Sequence, residues 1–228
     1  MPKSEQKQVI NAIIVVGFII VGVILLRGSK PPTLKNPSVK DTGAIVTNSN
    51  LALSAYHITG NPNAKLVIVE YSDLECPYCK AFHATMHRVV ENSNGNVAWV
   101  FRHYPIPQLH PKAFHEAEAT ECAWEQGGDD AFWKYTDRVF EITPSNNGLD
   151  VAELPKIAQY IGLDVGSFET CLESGKFRAK IQQDIDDGII DGVNGTPSSF
   201  ILKNDKRVGA IPGAQPFEAV MQMLSAIK

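Results

Sequence analysis

The sequence predicts one α/β domain, in which a βαβ unit and a ββα unit complete a single sheet around an inserted helical block, preceded by one N-terminal transmembrane helix. Three observations carry this. Two continuous, β-branched apolar runs (residues 65–71 and 97–102) bracket a stretch with helical spacing. Two short strand-like segments (199–202 and 208–211) follow a long helical region. An 18-residue apolar run occupies residues 9–26.

Taken in order, residues 9–26 (VINAIIVVGFIIVGVILL) are interrupted by a single polar residue, Asn11. As a helix they would extend about 27 Å, close to the thickness of a hydrocarbon core. A cleavable signal segment is the competing reading. Such segments are usually shorter and end at a small-x-small site, whereas this run ends Leu25-Leu26-Arg27-Gly28, which favours an uncleaved anchor. Lys3 and Lys7 precede the run, while Arg27, Lys30, Lys35 and Lys40 follow it. Flanking charge alone would leave the following domain in the cytoplasm. A long trailing domain can translocate regardless, and the chemistry below needs an oxidising side, so an extracytoplasmic domain is expected. Residues 27–55 contain Pro31, Pro32, Pro37 and Gly43 among Ser, Thr and Asn, the composition of a flexible linker.

The domain proper is expected over residues 56–228. The run 65–71 (KLVIVEY) suits a strand buried on both faces. A turn at 72–77 leads into a helix over 78–91, where Phe82, Met86, Val89 and Val90 share one face. Residues 97–102 (VAWVFR) are a second buried strand, and the order favours a parallel βαβ unit. Residues 111–190 read as four or five helices, at 112–126, 130–141, 151–161, 165–174 and 176–190. Asn204-Asp205 then separates two hairpin strands, and Pro216, at a first-turn position, opens a last helix to residue 227. Phe132, Trp133 and Tyr135 are read as core of the helical block.

Composition narrows the function. Hydrophobic residues make up 44% and charged residues 20%, enough for a packed core. Residues 1–55 carry a net +4 and residues 56–228 a net −8. An acidic domain without a basic stripe argues against nucleic acid as a partner.

The chemistry centres on Cys76-Pro77-Tyr78-Cys79. Two cysteines at this spacing can close a small disulfide ring. At a helix start, free N–H groups and the helix dipole favour the Cys76 thiolate, which is the attacking form. Cys79, a turn into the helix, would resolve the mixed disulfide, and Pro77 costs no hydrogen bond in the first turn. A zinc half-site or a static disulfide is the bland alternative; zinc usually needs a second close pair, and Cys122 and Cys171 are far apart in sequence. Thr196-Pro197, entering the late hairpin, could be an ordinary trans edge proline. In this layout it is placed to be a cis proline against the Cys-Pro-Tyr-Cys turn, leaving the Thr196 backbone to pair with an extended substrate.

The stretch His57-Ile58-Thr59-Gly60-Asn61-Pro62 and, further on, Glu70-Tyr71-Ser72-Asp73-Leu74-Glu75-Cys76-Pro77-Tyr78-Cys79 resembles the DsbA family of thiol–disulfide oxidoreductases, especially its membrane-anchored, BdbD-like members. Further matches are His110-Pro111, Ala119-Thr120-Glu121-Cys122-Ala123, Phe132-Trp133, Phe168-Glu169-Thr170-Cys171-Leu172 and Gly192 to Pro197. The resemblance covers about residues 56–228. It implies a thioredoxin fold with an inserted helical domain over about 111–190. It further implies Cys76 as the attacking cysteine, Cys79 as the resolving one, Pro197 as the cis proline and Glu70 as a buried acid handling protons for the pair. Thr196, Pro77 and Tyr78 are then the residues placed to meet substrate. Tyr78 stands where the best-known oxidant of the family has His.

Cys122 and Cys171 could be two separate buried cysteines; an even cysteine count in an oxidising compartment favours a structural disulfide between them. His83 and His87, four residues apart on the active-site helix, have one possible metal-ligand spacing, but no acidic third ligand is evident, and they are read as surface residues with no metal expected. No cofactor is expected either. The function expected is disulfide formation in exported proteins with free or mispaired cysteines, the domain acting as a monomer reoxidised by a membrane partner of the DsbB or VKOR kind. The alternatives are a reductase or isomerase of the same fold, or a tethered binding or chaperone module whose cysteines are only structural.

Overall fold

The computed structural model describes residues 57–227. The expected anchor (9–26) and linker (27–55) lie outside the described residues, and among those described no helix is long and apolar enough to cross a membrane.

Five strands form one sheet in the order β1-β3-β2-β4-β5. They are β1 (His57–Gly60), β2 (Leu66–Ser72), β3 (Val97–His103), β4 (Ser198–Lys203) and β5 (Lys206–Pro212). Strand β2 is central: it pairs parallel with β3 and antiparallel with β4. Its apolar, β-branched content fits a position with neighbours on both edges and cover on both faces. Helix α1 (Pro77–Asn92) makes the β2-to-β3 crossover. The β4–β5 hairpin turns at Asn204 and Asp205, both with positive φ (50° and 59°), as a tight two-residue turn requires.

The inserted region comprises α2 (Ala113–Ile142), a 3₁₀ turn (Val151–Glu153), α3 (Leu154–Tyr160), α4 (Val165–Ser174) and α5 (Arg178–Ile190). The last helix is α6 (Phe217–Ser225). Helix α4 starts on the Asp164 side chain, which accepts the Ser167 N–H at 2.7 Å, and stops at Gly175 in the left-handed conformation.

The expected helices over 112–126 and 130–141 meet end to end as the two halves of α2, separated by a kink at Gly127 and Gly128, whose dihedrals are not helical. Two other points differ from expectation. Strand β1 was not anticipated; it is four residues long and gains its place by pairing antiparallel with β3. Pro216 precedes the first turn of α6, occupying the cap position instead.

Period-two alternation sorts β2 between two cores. Ile68 joins Trp99, Phe101, Phe82 and Met86 in the larger core, which runs on into the inserted helices through Phe132, Tyr135 and Phe168. Val67, Val69 and Tyr71 join Val100, Val193 and Phe200 on the other face. There α5 is fastened by Arg102, which donates to Asp184 Oδ1 at 3.0 Å and to the Tyr71 hydroxyl at 2.7 Å, and pairs with Asp187. Gly188 lets α5 approach closely, since a Cβ there would fall 2.7 Å from the Tyr104 ring.

Candidate functional site

Strand β2 ends in a turn that delivers Cys76 to the start of α1. Cys76 is the cap residue, with extended dihedrals, and its carbonyl accepts the first helical hydrogen bond from Lys80 at 3.0 Å. Pro77 follows at the first helical position, where it has no hydrogen bond to lose. The Cys76 thiol therefore faces the unpaired N–H groups of the first turn. Its pKa falls to about 6, held down first by a hydrogen bond from the Cys79 thiol and then by the Cys79 and Tyr78 backbone N–H groups and Thr196, against the opposing effect of burial. Cys79 is fully buried, and burial followed by the nearby Cys76 and Glu70 charges pushes its thiol well above the ordinary range. The Asp73 N–H donates to Cys79 Sγ at 3.4 Å.

The Thr196–Pro197 peptide is cis, and Cys76 Sγ lies 3.5 Å from the Thr196 carbonyl oxygen. Pro197 is buried and Thr196 half-buried, whereas Pro77 and Tyr78 are exposed, Tyr78 by 68%. The site thus joins a covered sulfur pair to a solvent-facing aromatic rim.

Glu70 sits on β2 opposite Phe101 of β3 and Ser199 of β4, on the sheet face that also carries Ile68. It is fully buried, and neither carboxyl oxygen has a close hydrogen-bond partner among the described residues. Burial pushes its pKa up to about 8; Ser72 and Trp99 moderate the rise, and the Cys76 charge adds to it. Glu70 is accordingly a neutral acid at pH 7 that feels both cysteines.

Around this pair lies a set of polar residues that sequence reasoning missed. Asp73 accepts the Glu75 N–H at 2.9 Å, the Ile106 N–H at 2.8 Å and a His110 ring N–H at 2.9 Å. The Glu75 carboxylate accepts backbone N–H groups from Asn147 (2.6 Å), Leu149 (3.1 Å) and Gly148 (3.2 Å). Lys112 Nζ donates to the carbonyls of Leu149 and Asn147, and Lys80 Nζ to that of Thr143. Glu116, also fully buried, is pushed up to about 9 by burial and by the neighbouring Glu75 and Asp73 charges. The Asp73-x-Glu75 turn has a legible signal, a side chain capping the N–H two residues on. Glu116 and the loop over residues 143–149, which supplies these partners, have none.

Cys122 on α2 and Cys171 on α4 are joined in a disulfide, with Cα atoms 5.8 Å apart. His83 and His87 differ from expectation. His83 is buried among Phe140, Trp99 and Trp133, and both histidines meet Asp137 of α2, the acidic neighbour that sequence spacing did not supply. A second buried cluster joins His57 of β1, His103 of β3 and Glu121 of α2.

A family model described as thioredoxin matches residues 54–223. Curated relatives include the Na(+)/H(+) antiporter NhaA 1 of Mycolicibacterium gilvum, 31% identical over 153 residues, which make up 66% of this chain and 24% of that one. The NhaA 3 antiporter of Salinispora tropica is 36% identical over 146 residues, 64% of this chain and 21% of that one. The chain spans about a quarter of the length of these relatives. Among solved structures, DsbA2 of Pseudomonas aeruginosa is 30% identical with a TM-score of 0.64, covering 76% of this chain and 94% of that one. Oxidised BdbD of Bacillus subtilis superposes with a TM-score of 0.66 over 76% of this chain and 92% of that one; at 20% identity it bears on the fold.

Proposed function

Because the chain belongs to the thioredoxin family and is a thioredoxin-fold, DsbA-like thiol–disulfide oxidoreductase, we propose that it forms disulfides in exported proteins through a Cys76–Cys79 disulfide. The observation that carries this reading is the depressed Cys76 thiol at the start of α1, beside the Thr196 carbonyl.

A substrate thiolate attacks Cys76 Sγ of the disulfide; the bond to substrate forms as the Cys76–Cys79 bond breaks. Cys79 leaves as a thiolate and takes a proton from Glu70, which is protonated at neutral pH. A second substrate thiolate then attacks the substrate sulfur, closing the substrate disulfide and releasing Cys76 as a thiolate stabilised by the helix start. The substrate loses two electrons and two protons. A membrane-bound disulfide donor takes the electrons from the reduced pair and resets the cycle.

The low Cys76 pKa favours this direction. Moving a thiol from its ordinary value to about 6 stabilises the reduced form at pH 7 by roughly 1.4 kcal/mol, about 30 mV for two electrons. Tyr78 and Thr196, at the exposed and half-buried margins of the sulfur pair, form the surface that receives substrate. An extracytoplasmic location is supported by the Cys122–Cys171 disulfide, which persists most readily in an oxidising compartment.

The test is substrate trapping. Cys79→Ala should accumulate mixed disulfides on Cys76 with exported proteins, released by reductant, and Cys76→Ala should accumulate none. A Cys79→Ala protein that traps nothing contradicts the reading.

A further inference from the structure

Three ligand-type atoms converge where α1 passes α2, away from the sulfur pair. Asp137 Oδ1 lies 2.7 Å from His83 Nε2 and 2.8 Å from His87 Nε2, and the two ring nitrogens are 3.2 Å apart. Protons alone satisfy this triangle poorly. If both nitrogens carry hydrogen, the two N–H groups crowd each other over one acceptor; if only one does, the other nitrogen's lone pair faces the carboxylate. A cation at the centre uses all three as lone-pair donors. Ligand bonds of about 2.0–2.2 Å in tetrahedral geometry put donor atoms about 3.3 Å apart, so the two carboxylate edges need open by only about half an ångström.

The surroundings favour a site. The His83 ring is fixed by Phe140 (centroids 4.5 Å apart) and Trp99 (5.1 Å), and His87 stands edge-on to Trp99 at 5.3 Å. The His87 and Asp137 side chains are 32% and 46% exposed, which leaves a route for an ion and a position for water. A surface depression of about 380 Å³ opens over the three side chains. The nearby charges are engaged elsewhere: Lys80 Nζ donates to the Thr143 carbonyl at 2.6 Å, and Glu141 pairs with Arg138 at 2.6 Å. The buried cluster of His57, His103 and Glu121 lacks this opportunity, because Lys180 Nζ already sits 2.6 Å from Glu121 Oε1 and 3.3 Å from His57 Nε2.

We propose that His83, His87 and Asp137 form a divalent transition-metal site, suited by its two imidazoles and one carboxylate to Zn²⁺, that staples the active-site helix to the inserted helical region. Among the described residues His83 Nδ1 has no hydrogen-bond partner, the outer contact that metal-binding histidines commonly have, so binding is weaker than at closed four-ligand sites.

The experiment is a calorimetric Zn²⁺ titration of the full chain with Cys76 and Cys79 kept as a disulfide, so that their thiols cannot compete for metal. One equivalent should bind and raise the thermal midpoint. His87→Ala and Asp137→Asn, both at partly exposed positions and checked for folding by circular dichroism, should each weaken binding by about tenfold or more. Co²⁺ in place of Zn²⁺ should give d–d absorption without a thiolate charge-transfer band. Absence of saturable binding near one equivalent, or binding that both folded variants retain at full affinity, overturns the proposal.

Discussion

The Glu75 carboxylate accepts the Asn147 backbone N–H at 2.6 Å, and the residues that present that N–H and its neighbours include three consecutive non-glycine positions with positive φ, Ser145, Asn146 and Asn147. Left-handed backbone at such residues costs on the order of 1 kcal/mol each, and charge-assisted hydrogen bonds to a buried carboxylate offset it. The acid next to the reactive cysteine thereby ties the active-site turn to the inserted region. Glu75→Ala should lower stability by about 3 kcal/mol in denaturant unfolding, and Glu75→Gln by less, because an amide oxygen still accepts. An unchanged midpoint for Glu75→Ala would rule out this clamp.

Glu116 makes stability depend on pH. Its folded pKa, raised to about 9, exceeds the ordinary 4.5, so between those values the unfolded chain releases a proton that the folded chain keeps. Stability therefore falls as pH rises through that window. Glu116→Gln removes the effect, and its gain over the parent should grow from near zero at about pH 4 to roughly 2–3 kcal/mol at about pH 7. Urea midpoints measured across that range check it; a gain that does not change with pH contradicts it.

Glu70 should act on the resolving cysteine. Glu70→Gln keeps the size of the side chain but cannot exchange a proton, and it should slow exchange with a dithiol peptide by about 100-fold. The rate-against-pH profile should also lose the group titrating near 8. A slowed enzyme with an intact profile would assign Glu70 a packing role instead.

The Cys122–Cys171 bond closes a loop with a sequence separation of 49. In the chain-entropy picture such a loop is worth about 4 kcal/mol. The double replacement Cys122→Ala with Cys171→Ala should cost about that in guanidinium unfolding while leaving the Cys76–Cys79 exchange reaction intact. A loss below about 1 kcal/mol would show that the cross-link contributes little to folding.

The parts legible in the sequence are those whose signals are local. Strands β2 and β3 announce themselves as β-branched runs, and Pro77 between two cysteines marks the start of α1. Strand β1 (HITG) has one β-branched aliphatic residue and exists because β3 offers it an edge. Gly127-Gly128 marks a break between two helices, and the backbone does leave helical geometry there, kinking α2. Asp137 shows the harder limit. It lies 50 residues from His87 on another helix, and helical periodicity describes one helix face at a time. Glu116 was invisible for the same reason: a glutamate in a helical pattern reads as solvated until the fold buries it against Glu75.

The central claim is a Cys76 sulfur held anionic near neutrality by the Cys79 thiol and the backbone N–H groups at the start of α1. Thiolate absorbance of the reduced protein, followed against pH, measures this directly. The expected trace has one thiol titrating with a midpoint near 6, abolished in Cys76→Ala, while Cys79 stays protonated well into the alkaline range. A first midpoint in the ordinary free-thiol range, about 8.5, contradicts the account.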